Sequence, residues 1–276
     1  MSESSPAINL HKWLHQATSS LQQAGVTSAR LDALVLLADE LGTNKAWVLA
    51  HPDEALSPQQ LTRLADKLTR RAQRMPMAYI RGHQEFYGRE FVVTPQVLIP
   101  RPESEALVDS LLTLPRTAHD TLLDVGTGSG ALAITTKLER PDLHVMATDV
   151  SADALKVARQ NATNLKADVS FAIRDLLHGV AAHSLTYIVA NLPYVARSWE
   201  RSAETNFEPA LALFADDDGL ALITTLIAQA TQALSPKGWL LLEADPRQHT
   251  RIAELAKQHG FAVTASQGFA IVLHRS

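Results

Sequence analysis

Hydrophobic residues recur at helical spacing through the first quarter of the chain. From residue 7 to about residue 75 apolar side chains stand three and four positions apart, which predicts helices with one apolar stripe each. Ser57-Pro58-Gln59-Gln60 predicts a helix start, with Ser57 as N-cap and Gln60 closing a capping box. We therefore predict a small helical domain over residues 1–78, whose stripes comprise Leu31, Leu34, Val35, Ala38, Leu41, Leu61, Leu64, Ala65 and Leu68.

The helical pattern stops at Met75-Pro76, because proline disfavours the helical conformation in the residue before it. Over residues 79–100 two apolar groups flank Gly88-Arg89-Glu90, which predicts a hairpin-like linker. After Pro100-Arg101-Pro102, a helix is predicted from Glu103 to Leu114.

Apolar strands and helical segments alternate from Thr121 onward. This alternation predicts an α/β fold over residues 101–276, with a mostly parallel sheet covered on both faces. The last two strands share only a short link, so one of this terminal pair must be antiparallel. The predicted strands are Thr121–Val125, His144–Thr148, Val169–Ile173, Thr186–Ala190, Gly238–Glu243, Phe261–Ala265 and Phe269–His274. The predicted helices span residues 129–139, 151–163, 218–234 and 247–259.

Composition narrows the possible environment and partners. The chain has no cysteine, which excludes disulfides and thiolate metal sites, and we predict no metal. No apolar run is long enough for a membrane span, and the N-terminus lacks the pattern of a secretory signal, so we expect a cytoplasmic protein. The formal net charge of −4 argues against binding nucleic acid mainly through its phosphates.

One helical segment nevertheless carries a basic cluster. Two interpretations are open: a solvated helix face, or a docking surface for a partner. The cluster comprises Arg63, Lys67, Arg70, Arg71 and Arg74.

A glycine-rich turn, Asp124-Val125-Gly126-Thr127-Gly128-Ser129-Gly130, follows the first predicted strand of the sheet. Ligands of open parallel sheets bind at this edge, and glycine allows the backbone to approach them closely. The spacing G-x-G-x-G departs from the dinucleotide fingerprint G-x-G-x-x-G. A carboxylate beside the turn suits S-adenosylmethionine, which carries an ammonium and a sulfonium. We therefore predict a cofactor site that includes Asp124, Gly126, Thr127, Gly128 and Gly130.

Two further acids follow the next strands. Asp149 ends the second predicted strand, where an acid can accept hydrogen bonds from both ribose hydroxyls. Asp175 follows the third strand and could face the adenine amino group, although acids at strand ends also cap helices. Both are predicted to bind the cofactor.

The tetrapeptide Asn191-Leu192-Pro193-Tyr194 ends the fourth predicted strand and is the strongest site signal. The Asn191 amide oxygen and the Leu192 carbonyl can accept both N–H groups of a planar amide or amine. Pro193 restricts the backbone, and Tyr194 offers a flat face for stacking. We predict that all four residues bind the acceptor and serve in catalysis, and that Asn191 also faces the cofactor. We therefore expect transfer of a methyl group to nitrogen, without a dedicated base.

Together, these motifs resemble those of the glutamine-N5 methyltransferases that modify class-1 peptide chain release factors. The resemblance rests on the glycine turn, Asn191–Tyr194, Glu85-Phe86-Tyr87-Gly88, residues 98–105 (Leu-Ile-Pro-Arg-Pro-Glu-Ser-Glu), residues 207–213 (Phe-Glu-Pro-Ala-Leu-Ala-Leu) and residues 216–219 (Asp-Asp-Asp-Gly). It implies a Rossmann-like class I S-adenosylmethionine-dependent methyltransferase. The product would be N5-methylglutamine in the Gly-Gly-Gln motif, together with S-adenosylhomocysteine.

The resemblance also implies that Arg101 and Glu103 bind substrate and that the helical domain helps to recognise the release factor. Two departures stand out. Leu192 occupies the first proline position of the family's usual Asn-Pro-Pro-Tyr, and an Asp and an Arg usual before the last strand are not evident in residues 266–270.

Three alternatives remain open at this level: a nitrogen methyltransferase for a ribosomal-protein glutamine or a nucleic-acid base, a non-catalytic S-adenosylmethionine-binding protein, and a nicotinamide oxidoreductase. We expect a monomer whose partners are release factors, without direct binding to nucleic acid or membrane.

Overall fold

The computed structural model describes residues 8–116 and 120–276, and the chain divides into two compact units. The main segment of the smaller unit ends at Gly82, and the unit also includes Ser202–Phe207. The larger unit comprises His83–Arg201 and Glu208–Ser276.

These units differ in two places from the predicted domains of residues 1–78, 79–100 and 101–276. The predicted linker is divided, since its first residues belong to the helical unit and its hairpin to the larger unit. The segment Ser202–Phe207 joins the helical unit although it follows the tetrapeptide Asn191–Tyr194, here called the acceptor motif, in the chain. Glu204 explains this placement, because its carboxylate pairs with Arg71 and Arg74.

The smaller unit contains five helices among its described residues. Asn9 and Ser57 cap two of them, and the predicted capping box of Ser57 and Gln60 is present. The helix signal was predicted to be lost after Met75-Pro76, but a further helix begins at Met77, with Pro76 as its N-cap in a non-helical conformation (ψ 139°). The helices are α1 (Leu10–Gln23), α2 (Ala29–Leu41), α3 (Lys45–Ala50), α4 (Pro58–Ala72) and α5 (Met77–Arg81), with a 3-10 turn over Ala203–Phe207.

The predicted apolar stripe of α2 is only partly correct, since Leu34 and Ala38 are buried but Leu31 is not. Leu31 is 52% exposed, whereas Ala33, Leu36 and Leu37 are fully buried. The helix is apolar over most of its circumference, so periodicity alone permits more than one stripe. On α4, Leu64 is fully buried while Ala65 of the predicted stripe is exposed.

Acids within the smaller unit pair with the whole basic cluster. Arg71 is only 5% exposed, so neither a solvated face nor a docking surface describes it. Its guanidinium lies between two carboxylates because an unpaired buried charge would be strongly unfavourable. The pairs are Arg63 and Lys67 with Glu40, Arg70 with Asp66, Arg71 with Asp32 and Glu204, and Arg74 with Glu204.

The larger unit begins with a hairpin of β1 (His83–Phe86) and β2 (Arg89–Val92). Its turn residues Tyr87 and Gly88 have positive φ angles of 53° and 72°, as in two-residue hairpin turns of the primed types. A 3-10 turn over Pro102–Ser104 then leads into α6 (Glu105–Thr113).

A seven-stranded sheet forms the centre of this unit, in the order β5-β4-β3-β6-β7-β9-β8. All strands are parallel except β9, which lies between β7 and β8 rather than at an edge. The strands are β3 (Thr121–Val125), β4 (His144–Asp149), β5 (Ser170–Ile173), β6 (Leu185–Ala190), β7 (Leu234–Glu243), β8 (Phe261–Gln267) and β9 (Ala270–Arg275). The helices are α7 (Ala131–Glu139), α8 (Ala152–Leu165), α9 (Ala210–Leu213), α10 (Ala221–Ala233) and α11 (His249–Gln258), with 3-10 residues Pro246–Gln248 before α11.

Successive side chains of β6 enter different cores. Ile188 packs in the core cluster that contains α10 and α11, whereas Tyr187 and Val189 pack in the cluster that contains α6 and α7. The sheet is therefore covered on both faces, as predicted from its apolar strands. Strand order reverses at β3, between β4 and β6, and this reversal marks the ligand-binding edge.

Within residues 8–116 and 120–276, no helix is long and apolar enough to cross a membrane.

Candidate active site

The glycine turn lies beyond the carboxyl end of β3, as predicted. Gly126, Gly128 and Gly130 all have positive φ, with values of 75°, 56° and 84°. The N–H groups of Gly126 and Thr127 both donate to the carbonyl of Thr148 on the neighbouring strand, at 2.9 Å each. The turn is thus attached to β4, and its left-handed residues suit glycine.

The three glycines differ in what surrounds them. A Cβ atom at Gly130 would lie 2.7 Å from Cδ1 of Ile134, and one at Gly126 would lie 2.9 Å from Cδ2 of Leu192. A Cβ atom at Gly128 would meet no protein atom within 4 Å. Gly126 and Gly130 therefore allow close packing within the protein, whereas Gly128 borders open space.

Asp124 is directed into the turn rather than into the cavity. It is 1% exposed, and its Oδ2 accepts hydrogen bonds from the Thr127 hydroxyl at 2.6 Å and from the Ala133 N–H at 3.1 Å. Burial raises the pKa of Asp124 to about 7, against the lowering effect of these hydrogen bonds. In the structure Asp124, predicted to bind the cofactor, stabilises the glycine turn through these hydrogen bonds.

Asp149 connects the turn to the following helix. Its Oδ2 accepts a hydrogen bond of 2.9 Å from the Gly128 N–H, and its Oδ1 accepts one of 2.8 Å from the Ser151 N–H. Each carboxylate oxygen has a second acceptor site. Asp149 lines the cavity described next, so these sites are available to a ligand.

A cavity of about 290 Å³ lies at this edge of the sheet. The structure brings most of the predicted site residues to its wall: Gly126, Thr127, Gly128, Asp149, Asp175, Asn191, Leu192 and Pro193. Apolar residues that were not predicted to belong to the site also line it, and these include Phe86, Val150, Leu176 and Leu222. Val150 is 50% exposed although it is apolar.

Asn191 follows β6 and belongs to a short hydrogen-bonded chain. Its Nδ2 donates to the Ser104 hydroxyl at 3.0 Å, and that hydroxyl donates to Oε2 of Glu243 at 2.5 Å. The Tyr194 hydroxyl donates to the other oxygen, Oε1, at 3.0 Å. A buried carboxylate thus receives one hydroxyl donor on each oxygen, and it connects the first and last residues of the acceptor motif.

Burial raises the pKa of both Glu243 and Tyr194, the two titratable groups of this hydrogen-bonded chain. Glu243 is 2% exposed, and burial raises its pKa against the opposing effect of the hydrogen bonds from Ser104 and Tyr194. Burial, then the nearby charge of Glu243, raises the pKa of Tyr194 above its ordinary value. Tyr194 is therefore a neutral phenol at physiological pH.

The other residues of the acceptor motif are held by their neighbours. Leu192 is 5% exposed and packs against the glycine turn at Gly126. The Tyr194 carbonyl accepts a hydrogen bond of 3.0 Å from Nε2 of Gln248, and the Tyr194 ring centroid lies 6.4 Å from that of Phe269. Phe269 belongs to the short link before the last strand, so this link contributes directly to the surroundings of the motif.

The structure places Arg101 and Glu103 outside the cavity wall. Arg101 donates to Oε1 of Glu208 at 2.5 Å, and Oε2 of Glu208 accepts a hydrogen bond from the Ile99 N–H at 3.2 Å. Glu208 is 7% exposed and precedes Pro209, which lines the cavity. Arg101 therefore stabilises the loop around Glu208 and Pro209, which forms part of the cavity wall. Glu103 is exposed on the 3-10 turn Pro102–Ser104.

Sequence reasoning overlooked two polar residues of this site, Ser104 and Glu243. Glu243 did carry a signal, since it is an acid at the end of a predicted strand, the position that marked Asp149. Ser104 lies within the motif of residues 98–105, but nothing in the sequence indicates that its hydroxyl contacts Asn191 and Glu243.

Comparisons with known proteins agree with this geometry. The family model of the PrmC N-terminal domain matches residues 12–82, and that of the methyltransferase small domain matches residues 103–210. A methyltransferase of known structure from Pyrococcus furiosus shares the fold, with a TM-score of 0.53 and 17% identity over 80% of this chain and 100% of that chain.

Curated relatives are closer in sequence. A release factor glutamine methyltransferase of Koribacter versatilis is 39% identical over 87% of this chain and 89% of its own length. Another, from Deinococcus radiodurans, is 39% identical over 92% of each chain. Identity at this level over nearly the whole length confirms the resemblance that the motifs indicated. The chain belongs to the release factor glutamine methyltransferase family.

Proposed function

We propose that this protein transfers a methyl group from S-adenosylmethionine to the side-chain amide nitrogen of the glutamine in the Gly-Gly-Gln motif of class-1 peptide chain release factors. The observation that carries this proposal is the orientation of the Asn191 amide. Its Nδ2 is bonded to Ser104, which leaves Oδ1 as an acceptor beside the cavity. The names of the curated relatives support the choice of substrate.

The residues of the cavity fit S-adenosylmethionine. Gly128 borders open space where a backbone can approach a ligand, and Asp149 has free acceptor sites for ribose hydroxyls. Val150 exposes apolar surface at the wall, which suits the face of an adenine ring, and Asp175 would accept from the adenine amino group. When bound, this cofactor supplies an electrophilic methyl group and leaves as S-adenosylhomocysteine.

Asn191 and Leu192 would bind the acceptor amide. The Oδ1 atom of Asn191 and the carbonyl of Leu192 each accept one of its two N–H groups, which fixes the plane of the amide. An amide nitrogen is a weak nucleophile because its lone pair is delocalised. Hydrogen bonds accepted from its N–H groups stabilise the positive charge that develops on nitrogen during transfer. Fixed orientation adds to the rate, by up to about 7–11 kcal/mol in the best intramolecular cases.

Pro193 and Tyr194 would complete the acceptor site. Pro193 restricts the backbone that presents the Leu192 carbonyl. Tyr194 would contact the flat face of the amide with its ring, while its neutral hydroxyl stays bonded to Glu243. Because Arg101 is paired with Glu208, we assign Arg101 an indirect role in holding the wall, and Glu103 a contact with the protein substrate.

The helical unit is the proposed recognition surface for the release factor. Three large apolar side chains of this unit are exposed: Leu31 at 52%, Trp47 at 36% and Leu49 at 50%. Exposed apolar side chains of this size suit a protein interface. Leu31→Ser and Leu49→Ser should raise KM for the release factor and leave cofactor affinity unchanged. An unchanged KM in both variants would refute this assignment.

A methyl-transfer assay on three alternative acceptors, each supplied separately, tests the proposed function. Labelled S-adenosylmethionine is supplied with the protein and with one of three acceptors: unmodified release factor, ribosomal protein, or nucleic acid. We expect label in the release factor alone, and none in a release factor whose Gly-Gly-Gln glutamine is replaced by alanine. Label in either of the other acceptors, with none in the release factor, would refute the proposal.

A further inference from the structure

We propose that Ser104 and Glu243 are positioning residues that set the orientation of the Asn191 side-chain amide. This inference rests on the proposed function, since it assumes that Oδ1 of Asn191 receives the acceptor. Neither residue needs to touch the reacting atoms. Their effect would be exerted through Asn191.

The direction of the hydrogen bonds carries the argument. Both oxygens of Glu243 act as acceptors, Oε2 from the Ser104 hydroxyl and Oε1 from the Tyr194 hydroxyl. A hydroxyl has a single proton, so Ser104 can offer only a lone pair to Asn191. The group of Asn191 that faces Ser104 must therefore be the NH₂ group, as observed at 3.0 Å. Oδ1 is then directed away from Ser104.

Burial makes this orientation costly to reverse. Ser104 and Glu243 are 4% and 2% exposed, so water does not replace a lost partner readily. If the Asn191 amide were turned over, its oxygen would face a hydroxyl oxygen that has no proton to donate. Two acceptors would then be in contact, and the Asn191 NH₂ group would lose the Ser104 hydroxyl as its partner. A turned Asn191 amide would also direct its NH₂ group at the N–H groups of the acceptor amide. Two donors would then face each other, so the acceptor amide could not form this hydrogen bond.

Glu243 is held in place independently of Ser104. Its Oε1 accepts from the Tyr194 hydroxyl at 3.0 Å, so one carboxylate stabilises both ends of the acceptor motif. The residues of this hydrogen-bonded chain come from three elements: the 3-10 turn Pro102–Ser104, the end of β6 and the end of β7. The orientation of Asn191 thus depends on residues that are distant in sequence and adjacent in the sheet.

A double-mutant cycle with Asn191 tests the inference. Ser104→Ala should lower kcat for methyl transfer about tenfold, which corresponds to loss of one orienting hydrogen bond, with cofactor Kd unchanged. In an Asn191→Ala background the same substitution should have no further effect, because residues that act through one another are not additive. An additive loss would overturn the inference. Ser104→Thr retains the hydroxyl and should restore kcat, and Ser110→Ala on α6 serves as the matched control.

A second readout does not depend on activity. In ¹⁵N-labelled protein, the Asn191 NH₂ resonance is assigned by its disappearance in Asn191→Asp. Its protons should exchange slowly with solvent in the wild type and in Ser104→Thr, and faster in Ser104→Ala. Equal exchange in all three would overturn the positioning role even if methyl transfer is confirmed. If wild-type protein methylates no glutamine while this protection is present, the proposed function fails and the hydrogen-bond orientation stands.

Discussion

The Ser104 hydroxyl lies 3.0 Å from the side-chain nitrogen of Asn191, although 87 positions separate the two residues in the chain. The contact joins the turn before α6 to the end of β6. The contact engages the Asn191 nitrogen rather than its oxygen, and Asn191 lines the cavity, which is the basis of the proposed acceptor site.

Asn191→Ala should abolish most methyl transfer and leave cofactor affinity nearly intact. The substitution removes one of the two acceptors for the substrate amide, and loss of a comparable hydrogen-bonding group costs about 10²–10³ in kcat. Turnover is measured on release factor, and cofactor Kd by calorimetry. Wild-type turnover in this variant would refute the proposed acceptor site.

Asp149→Ala should weaken cofactor binding by at least about tenfold, because hydrogen bonds to a charged group contribute about 1.5–3 kcal/mol each. Calorimetric titration with S-adenosylhomocysteine measures the loss. Asp153→Ala is a suitable control, since Asp153 lies on the exposed side of α8 and pairs only with Lys156 among the contacts described. Equal affinity of the Asp149 variant and the wild type would contradict the ribose role.

The glycines of the turn should separate cofactor binding from folding. Both Gly128→Ala and Gly130→Ala force alanine into a left-handed conformation, at about 1–2 kcal/mol each. Only the second adds a clash, with Ile134 and Ala158. We expect Gly130→Ala to lower Tm more, and Gly128→Ala to retain the fold while it weakens cofactor binding. The reverse pattern of Tm values would show that the surroundings of the two glycines are misassigned.

Glu204→Gln should loosen the segment Ser202–Phe207 at neutral pH. The Arg74 and Arg71 guanidinium groups lower the pKa of Glu204 to about 2, so its stabilising effect is present above the unfolded pKa of 4.5 and is lost as pH falls toward 2. Because Glu204 is partly exposed, we expect about 1–2 kcal/mol after allowance for solvent screening. Hydrogen exchange of residues 202–207 measures it at pH 7 and pH 3.

The exposed Glu200 provides the control for that experiment. Glu200→Gln should leave exchange of the segment unchanged at both pH values. If Glu204→Gln behaves in the same way, the ion pairs with Arg71 and Arg74 do not hold the segment.

Asp124→Asn should change the dependence of stability on pH. The pKa of Asp124 is raised from 3.8 to about 7 in the folded protein, so the folded state binds the proton more tightly. The free energy of unfolding is then greatest below pH 3.8, the pKa of Asp124 in the unfolded chain. It falls as pH rises from there through about 7, by up to about 4 kcal/mol in total. The variant should lack this decline, which urea unfolding between pH 4 and pH 8 measures. An identical decline in both proteins would assign it to another group.

Much of the larger unit could be predicted from the sequence because its strands are apolar and its turns are marked by glycine. β3 was predicted with its observed bounds, and the adjacency of β3 and β6 placed Asn191 beside the glycine turn. The insertion of β9 between β7 and β8 could not be predicted, since strand order depends on long-range pairing that periodicity does not encode.

Polar contacts between distant segments were the least predictable part. Arg71 looked like one member of a solvated row, and only the fold shows it buried between Asp32 and Glu204. Leu31 looked like a core residue because α2 is apolar on most sides. Residue type indicates which chemistry is available, whereas burial and partners depend on packing between elements.

Peptide mass spectrometry of a release factor treated with this protein and S-adenosylmethionine is the decisive test of methyl transfer to glutamine. We expect a single added methyl group on the glutamine of the Gly-Gly-Gln motif, and none when Asn191→Ala replaces the wild type. An unmethylated glutamine, from a preparation in which cofactor binding has been shown by calorimetry, would contradict this expectation.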